Sequence, residues 1–421
     1  MTKQSSLLTA CIERAEEKVN QWKKVVKQIE EHHQERVLQI FREEEVASFH
    51  FQSSTGYGYD DTGRDTLDRI YAKVFGTESA LVRQQFVSGT HAITTALFGV
   101  MRPGDHLLYV GLPYDTLQTV IGLTGNEKGT LKEYGMTCDI APLNQDGYPE
   151  AEEILSRVKK ETKVIAFQRS KGYAKRPSLD IARMETLIQE IKASYPDMII
   201  FVDNCYGEFV EEKEPGHIGA DLLAGSLIKN PGGGIVRTGG YIAGKEQYIE
   251  EVAARFAAPG IGLETGATIH MLQEMYQGLF LAPHVVQEAL LGAYFTASLA
   301  EEVGLTAFPS SNEKRTDLIQ SIHFEDEKRM ITFAEAIQHA SPVDSYVTPV
   351  ASDMPGYDSK VIMAAGAFIQ GSSIELSADG PLRPPYALYI QGGLTYTHVK
   401  IAVTHAMQRL IDEQLLSLER E

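Results

Sequence analysis

The feature that most constrains the fold is a set of short, continuously apolar segments that alternate with charged segments of helical character. Three apolar runs lie at His106–Val110, Val164–Phe167 and Met198–Val202, and the charged stretches Glu150–Lys160 and Ile181–Ser194 precede the last two. Strands that are apolar at every position, rather than at alternate ones, are typical of sheets covered by helices on both faces. The pattern therefore predicts an α/β fold built on a mostly parallel sheet.

The segments on either side of this central part differ from it. Between Leu7 and about Glu45, apolar residues recur every three or four positions, which predicts an amphipathic helix or helix pair. Ser48–Arg64 is rich in Gly, Ser, Thr and Asp and predicts an irregular arm. One or two long helices are predicted to end near Gly304. Short alternating segments follow, and a final helix runs from Thr397 to about Leu418, which together indicate a smaller α+β domain. These alternating segments are Gln320–Phe324, Arg329–Phe333, Lys360–Ala364 and Tyr386–Ile390. We therefore expect three parts: an N-terminal helical segment and arm (1–60), a large domain (61–300) and a small C-terminal domain (301–421).

Charge and cysteine content exclude several classes of function. The 421 residues carry a formal net charge of -18, so the molecule repels nucleic-acid phosphates and anionic lipid, and we expect neither nucleic acid nor membrane as partner. The three cysteines, Cys11, Cys138 and Cys205, show no paired spacing, which argues against a disulfide framework and a cysteine-rich metal site, and no metal is expected. No long apolar segment or signal peptide is evident, so a cytoplasmic location is expected.

Two segments early in the predicted large domain contain residues suited to binding a phosphorylated aromatic cofactor. Ser88, Gly89 and Thr90 begin a predicted helix, where free backbone N–H groups and the helix dipole suit a phosphate. Ser and Thr are also ordinary helix N-caps, which is the commoner explanation of such a turn. Tyr114 directly follows a predicted strand and could stack on a cofactor and carry a proton, although a structural tyrosine is commoner.

Two later segments complete the set. Asp203 ends a strongly apolar strand, where a carboxylate needs a cation or donor partner such as a protonated pyridine nitrogen, unless it only caps the next turn. Lys229 lies between a short apolar run and a glycine turn, a setting in which burial would lower the pKa of its amine and favour a Schiff base with an aldehyde. Ser226 could add a hydroxyl to the phosphate site. A solvated loop lysine is the alternative for Lys229, but the order of all four segments favours one cofactor.

At this point the chain resembles the fold-type I pyridoxal-phosphate enzymes, specifically the cystathionine/methionine γ-lyase group. It is most similar to the bacterial branch labelled methionine-γ-lyase-like or aluminium-resistance protein. The resemblance covers nearly the full chain and is carried by FQSSTGYGYDDTGRDTLDRIYAKVFGTESALV, QQFVSGTHAI, IIFVDNCYGEFVE, GSLIKNPGGGI and ELSADGPLRPPY with YIQGGLTY. It implies the aspartate aminotransferase-like fold with a seven-stranded type of sheet, and pyridoxal 5′-phosphate as cofactor.

The resemblance also implies roles for individual residues. It makes Lys229 the cofactor-binding lysine, places Asp203 at the pyridine nitrogen and stacks Tyr114 on the ring. Arg383 lies where the family has its substrate-carboxylate arginine, although a surface arginine is the alternative. The phosphate ligands implied are Ser88, Gly89, Thr90 and Ser226, joined by Tyr57 or Tyr59, and less certainly by Arg64, from a neighbouring subunit. A homodimer or homotetramer with shared active sites is therefore expected.

The sequence departs from the family pattern after the middle strand. The larger group has an asparagine there that contacts the ring oxygen of the cofactor, whereas this chain has Gln168, Arg169 and Ser170. The contact passes to one of these three residues or is absent.

We expect a lyase that cleaves the carbon–sulfur bond of a sulfur-containing amino acid, of the cystathionine β/γ-lyase or methionine γ-lyase type. Other chemistry of the same cofactor remains an alternative, namely transamination, γ-replacement or aldol cleavage, since all begin from the same substrate adduct. A non-catalytic stress-response protein on the same scaffold is the third alternative, and the retained lysine, acid and arginine argue against it.

Overall fold

The computed structural model describes residues 3–354 and 359–418, which form two compact units. One unit combines residues 1–31 with 282–421, and the other comprises residues 32–281. The helices of the described residues are α1 Lys3–Glu43, α2 Thr62–Phe75, α3 Gly89–Val100, α4 Asp115–Ile121, α5 Ala151–Ser156, α6 Ile181–Ser194, α7 Glu246–Phe256, α8 Leu272–Glu302, α9 Glu327–His339 and α10 Tyr396–Asp412. The strands are β1 Ser79–Arg83, β2 His106–Val110, β3 Thr137–Ala141, β4 Thr162–Gln168, β5 Ile199–Asp203, β6 Leu222–Ser226, β7 Gly240–Gly244, β8 Thr306–Phe308, β9 Gln320–His323, β10 Val361–Ala364, β11 Ser377–Pro381 and β12 Ala387–Gln391.

The bounds of the units fall inside two long helices. Helix α1 and helix α8 each contribute residues to both units, and α8 is a single helix with Pro283 inside it. The division at residues 60 and 300 stays a prediction. A helix whose sequence pattern is continuous gives no sign of a unit boundary that falls inside it. The segment 48–61 has one short 3-10 turn, Ser48–Phe51, and is otherwise irregular.

The unit of residues 32–281 contains a seven-stranded sheet of order β1-β7-β6-β5-β4-β2-β3. Its strands are parallel except β7, which pairs antiparallel with both β1 and β6. The three predicted strands are β2, β4 and β5, and β2 and β5 are buried at every position. The predicted mostly parallel α/β sheet is therefore confirmed. No α-helix lies between β6 and β7, and a short return without a crossover helix favours antiparallel pairing.

The unit of residues 1–31 and 282–421 contains a five-stranded antiparallel sheet of order β10-β11-β12-β9-β8. Helices α9 and α10 pack against each other. Three of the four alternating segments predicted here overlap strands, but Arg329–Phe333 lies in α9. The Asp326 side chain accepts from the N–H of Arg329 at 2.9 Å and caps that helix. Among the described residues, no helix is long and apolar enough to cross a bilayer.

Candidate active site

Polar residues meet at the carboxyl ends of four neighbouring strands. Gln168 ends β4, Asp203 ends β5 beside it in register, and Ser226 ends the adjacent β6. Tyr114 follows β2 as the first residue before α4, and Lys229 lies in the turn after β6. In parallel α/β sheets, ligands bind at this edge because loops from adjacent strands converge there.

The turn at the start of α3 packs directly against the end of β6. The hydroxyl of Ser88 accepts from the N–H of His91 at 3.0 Å, so this side chain is the helix cap that its residue type suggests. A Cβ on Gly89 would lie 3.2 Å from the Cβ of Ser226. The hydroxyl of Thr90 lies 2.8 Å from that of Tyr114. The turn therefore brings Gly89 against Ser226 and Thr90 against Tyr114.

Ser226 is almost completely buried, and its hydroxyl has no hydrogen-bond partner. A buried donor without a partner costs free energy, about 1–3 kcal/mol, unless a bound group satisfies it. The hydroxyl lies beside the amino-terminal end of α3, where unpaired backbone N–H groups attract anions. This arrangement fits a phosphate group.

Asp203 is buried, with 3% of its surface exposed. One oxygen accepts from the N–H of Cys205 at 3.1 Å. Burial raises the pKa of the carboxyl group, and the positive charge of Lys229 opposes this rise in part. A protonated ring nitrogen beside this buried carboxylate would stabilise its charge further.

Lys229 directs its amine at an aromatic ring: the Nζ atom lies 3.9 Å from the ring centroid of Tyr206. Burial lowers the pKa of this amine, but the acidic groups of Cys205, Tyr206, Asp203 and Tyr114 raise it, and the net pKa lies above its ordinary value. The lowered pKa expected from burial alone is therefore wrong for the free lysine. The sequence could not show how many acidic side chains the loops bring to this one amine.

Tyr114 is half-buried, and its N–H donates to Oε1 of Gln168 at 3.2 Å. Burial, and then the charge of Asp203, raise the pKa of its hydroxyl. The hydroxyl therefore keeps its proton at neutral pH and can donate a hydrogen bond.

The three residues Gln168, Arg169 and Ser170, at the end of β4 and directly after it, have different surroundings. Arg169 is fully buried and pairs with the carboxylates of Glu211 and Glu214, at 3.3 and 3.2 Å. Ser170 is buried, and its hydroxyl accepts from a backbone N–H in its own turn at 3.3 Å. Of these three, Gln168 is the residue whose side chain contacts Tyr114. It is therefore the best candidate of the three for a contact with the ring oxygen.

The arm presents two tyrosines to solvent. Tyr57 and Tyr59 are 72% and 56% exposed, and their rings stack with centroids 5.4 Å apart. The backbone of the arm is held in place, since the N–H of Gly266 donates to the carbonyl of Tyr57 at 3.0 Å. Arg64 is buried and donates to the carbonyl of Gly58, with Asp65 as its ion-pair partner. Arg64 is thus engaged within its own chain, whereas the two exposed rings are available to a neighbour.

Arg383 belongs to the unit of residues 1–31 and 282–421, where it is exposed and follows β11. Burial raises the pKa of Tyr389 on β12, and the charge of Arg383 lowers it in part. The assignment of Arg383 to a substrate carboxylate stays a prediction.

Two residues near Lys229 were not singled out from the sequence. Tyr206 contacts the amine, and the available signal was an aromatic residue close after the acid at the strand end. Glu208 is fully buried, and burial raises the pKa of its carboxyl to about 8. One of its oxygens accepts from the hydroxyl of Tyr241 at 2.9 Å, and the other, Oε2, has no hydrogen-bond partner. Its carbonyl accepts from the amide of Asn230, the residue after Lys229, at 2.9 Å.

Comparison with known proteins adds family relationships. Residues 8–411 match the model of the methionine γ-lyase family. An uncharacterised Bacillus subtilis protein is 56% identical over 395 residues, which cover 93% of this chain and 94% of that protein. A solved structure from Listeria monocytogenes is 52% identical, with a TM-score of 0.94, over 95% of this chain and 99% of that one. That protein is provisionally named a cystathionine β-lyase involved in aluminium resistance.

A more distant solved structure shares only the fold. It is provisionally named an O-acetylhomoserine (thiol)-lyase, comes from Campylobacter jejuni, and contains a lysine linked to the pyridoxyl group. It is 15% identical to this chain, covers 85% of it and 88% of its own length, and has a TM-score of 0.58.

Proposed function

Because the chain belongs to the methionine γ-lyase family, we propose that it is a pyridoxal-phosphate-dependent lyase that cleaves a carbon–sulfur bond of a sulfur-containing amino acid. The observation that carries the proposal is the meeting of Lys229, Asp203 and Ser226 at the carboxyl ends of adjacent strands, beside the amino-terminal end of α3. A structural lysine would not need a buried acid and an unpartnered hydroxyl beside it.

The residues present fit this cofactor. Lys229 would hold its aldehyde carbon, and Asp203 would face its ring nitrogen. The turn of residues 88–90 and the hydroxyl of Ser226 would hold its phosphate, because they supply donors where a helix begins. Tyr114 would stack on the ring, and Gln168 would be placed for a contact with the ring oxygen.

The side chains then divide the proton transfers among them. When bound, pyridoxal phosphate withdraws electrons from the α-carbon of the attached amino acid. Once the amine of the substrate has replaced Lys229 on the cofactor, the freed amine of Lys229 would take the α-proton, and the charge of Asp203 would hold a proton on the ring nitrogen. Tyr114 or Lys229 would give a proton to the departing sulfur as the carbon–sulfur bond breaks, and a thiol would leave. Water would then convert the unsaturated amine that remains to a keto acid and ammonia.

The first test is Lys229→Ala in the holoenzyme, with Lys128→Ala as the matched control because Lys128 is an exposed lysine. We expect Lys229→Ala to abolish both the visible absorbance of the bound cofactor and the release of keto acid from cystathionine, methionine and cysteine. The control keeps both properties. Comparing the three substrates identifies the position of the bond that breaks, and an intact absorbance band in Lys229→Ala would refute the assignment.

We also propose that the enzyme assembles as a homodimer or a pair of homodimers, in which Tyr57 or Tyr59 completes the phosphate site of the partner. Their exposure supports this, since large aromatic rings on a fixed arm are typical of interfaces. Arg383 would bind the carboxylate of the substrate through its planar fork. Mixing the inactive Lys229→Ala protein with a variant of reduced activity, in which Tyr57 and Tyr59 are both changed to Ala, should give more activity than the two proteins assayed separately if the arms cross between subunits. A mixture that is no more active than its components would refute the shared site.

A further inference from the structure

The loop that follows β5 has a strained backbone. Within residues 204–209, Tyr206 has a φ of 71° and Phe209 a φ of 63°. Residues other than glycine rarely adopt positive φ values, because the Cβ atom meets the backbone. Such a conformation persists only where the surroundings hold it, and it is most often found at functional sites.

Hydrogen bonds hold this loop on both sides of Tyr206. On one side, the N–H of Cys205 donates to the strand-end carboxylate of Asp203 at 3.1 Å. On the other side, the N–H of Phe209 donates to the buried carboxylate of Glu214 at 2.7 Å. The carbonyl of Glu208 accepts from the side-chain amide of Asn230 at 2.9 Å. The last bond connects the loop directly to the turn that carries the lysine. The loop therefore cannot relax without moving residues of the site.

The strain directs one ring at one amine. Tyr206 is half-buried, whereas Cys205 and Gly207 on either side are buried. The Nζ atom of Lys229 lies 3.9 Å from the ring centroid, well within the range of about 6 Å in which a cation is attracted to a ring face.

We propose that Tyr206 is a positioning residue of the lyase, whose ring face holds the charged amine of Lys229 in place whenever that lysine is not bonded to the cofactor. The proposal rests on the proposed function, since only a lysine that is repeatedly released needs such a support. Cys205, Asp203 and Tyr114 also face the amine and raise its pKa together with Tyr206, while burial opposes all four.

Two substitutions separate the ring from its hydroxyl. Tyr206→Phe keeps the aromatic face, and Tyr206→Leu removes it while keeping a branched apolar side chain. In full-length protein freed of cofactor, the probe is reductive methylation by formaldehyde and borohydride across a range of pH, read by mass spectrometry at Lys229. Only an uncharged amine reacts, and the exposed Lys128 in the same sample serves as the internal standard.

We expect the pH midpoint for modification of Lys229 to fall by about one unit more in Tyr206→Leu than in Tyr206→Phe, because only the second variant keeps the ring face. In the holoenzyme, Tyr206→Leu should lower kcat more than it changes KM, and Tyr206→Phe should restore most of the loss. Equal shifts in both variants would assign the effect to the hydroxyl and overturn the proposal, as would an unshifted midpoint in Tyr206→Leu. Failure of the lyase assignment itself is seen separately, because the methylation midpoint needs neither cofactor nor substrate.

Discussion

The wild-type protein should lose stability as the pH rises because of the buried carboxyl group of Glu208. Replacing Glu208 with glutamine should remove this loss. In the folded protein, burial raises the pKa of this carboxyl from an ordinary 4.5 to about 8. The folded state therefore keeps a proton that the unfolded chain releases. The stability tied to this group is fully present below the unfolded pKa, and it is lost as pH rises through the folded pKa. At about 1.4 kcal/mol per pKa unit, wild type loses roughly 3 kcal/mol between about pH 5 and pH 8 that the variant keeps.

Chemical denaturation of both proteins at the two pH values measures this difference. Glutamine can still accept from the hydroxyl of Tyr241, so the two proteins should differ little near pH 5. Glu212→Gln is the matched control, because Glu212 is an exposed glutamate of the same segment, and it should show no such pH dependence. A Glu208→Gln protein that is less stable than wild type by the same amount at both pH values would refute the reasoning, since Glu208 would then be ionised when folded.

Three further predictions concern the site and its support. Gly89→Ala should weaken cofactor binding about ten-fold, measured by equilibrium titration, because the added Cβ would lie 3.2 Å from that of Ser226; unchanged affinity would exclude close packing there. Arg169→Met should lower the free energy of unfolding by about 3–5 kcal/mol, since two buried carboxylates lose their cation; a loss under 1 kcal/mol by denaturation would contradict the buried ion pairs. The double change of Tyr57 and Tyr59 to Ala should reduce lyase activity while leaving the thermal midpoint of the cofactor-free protein nearly unchanged, because both rings are exposed.

Much of the site could be anticipated because its residues occupy positions that local patterns reveal. Asp203 and Lys229 stand out as charged residues next to apolar runs, and the structure places both at the same edge of the sheet. Tyr206 and Glu208 could not be anticipated in the same way. Their importance depends on which side chains the strained loop places beside them. The residue type tyrosine does not indicate that the backbone will have a positive φ.

The sequence alone indicated three of the seven strands and the parallel direction of most of the sheet, because continuous apolar runs between helices are typical of a covered parallel sheet. Tertiary structure decided the properties that depend on distant partners. In the folded chain Arg169 forms a buried ion pair with Glu214, whereas Gln168 lies beside Tyr114. It also gave Lys229 a raised pKa where burial alone would lower it. Periodicity is a local property of the chain, whereas the electrostatic surroundings of a side chain arise from residues that meet only after folding.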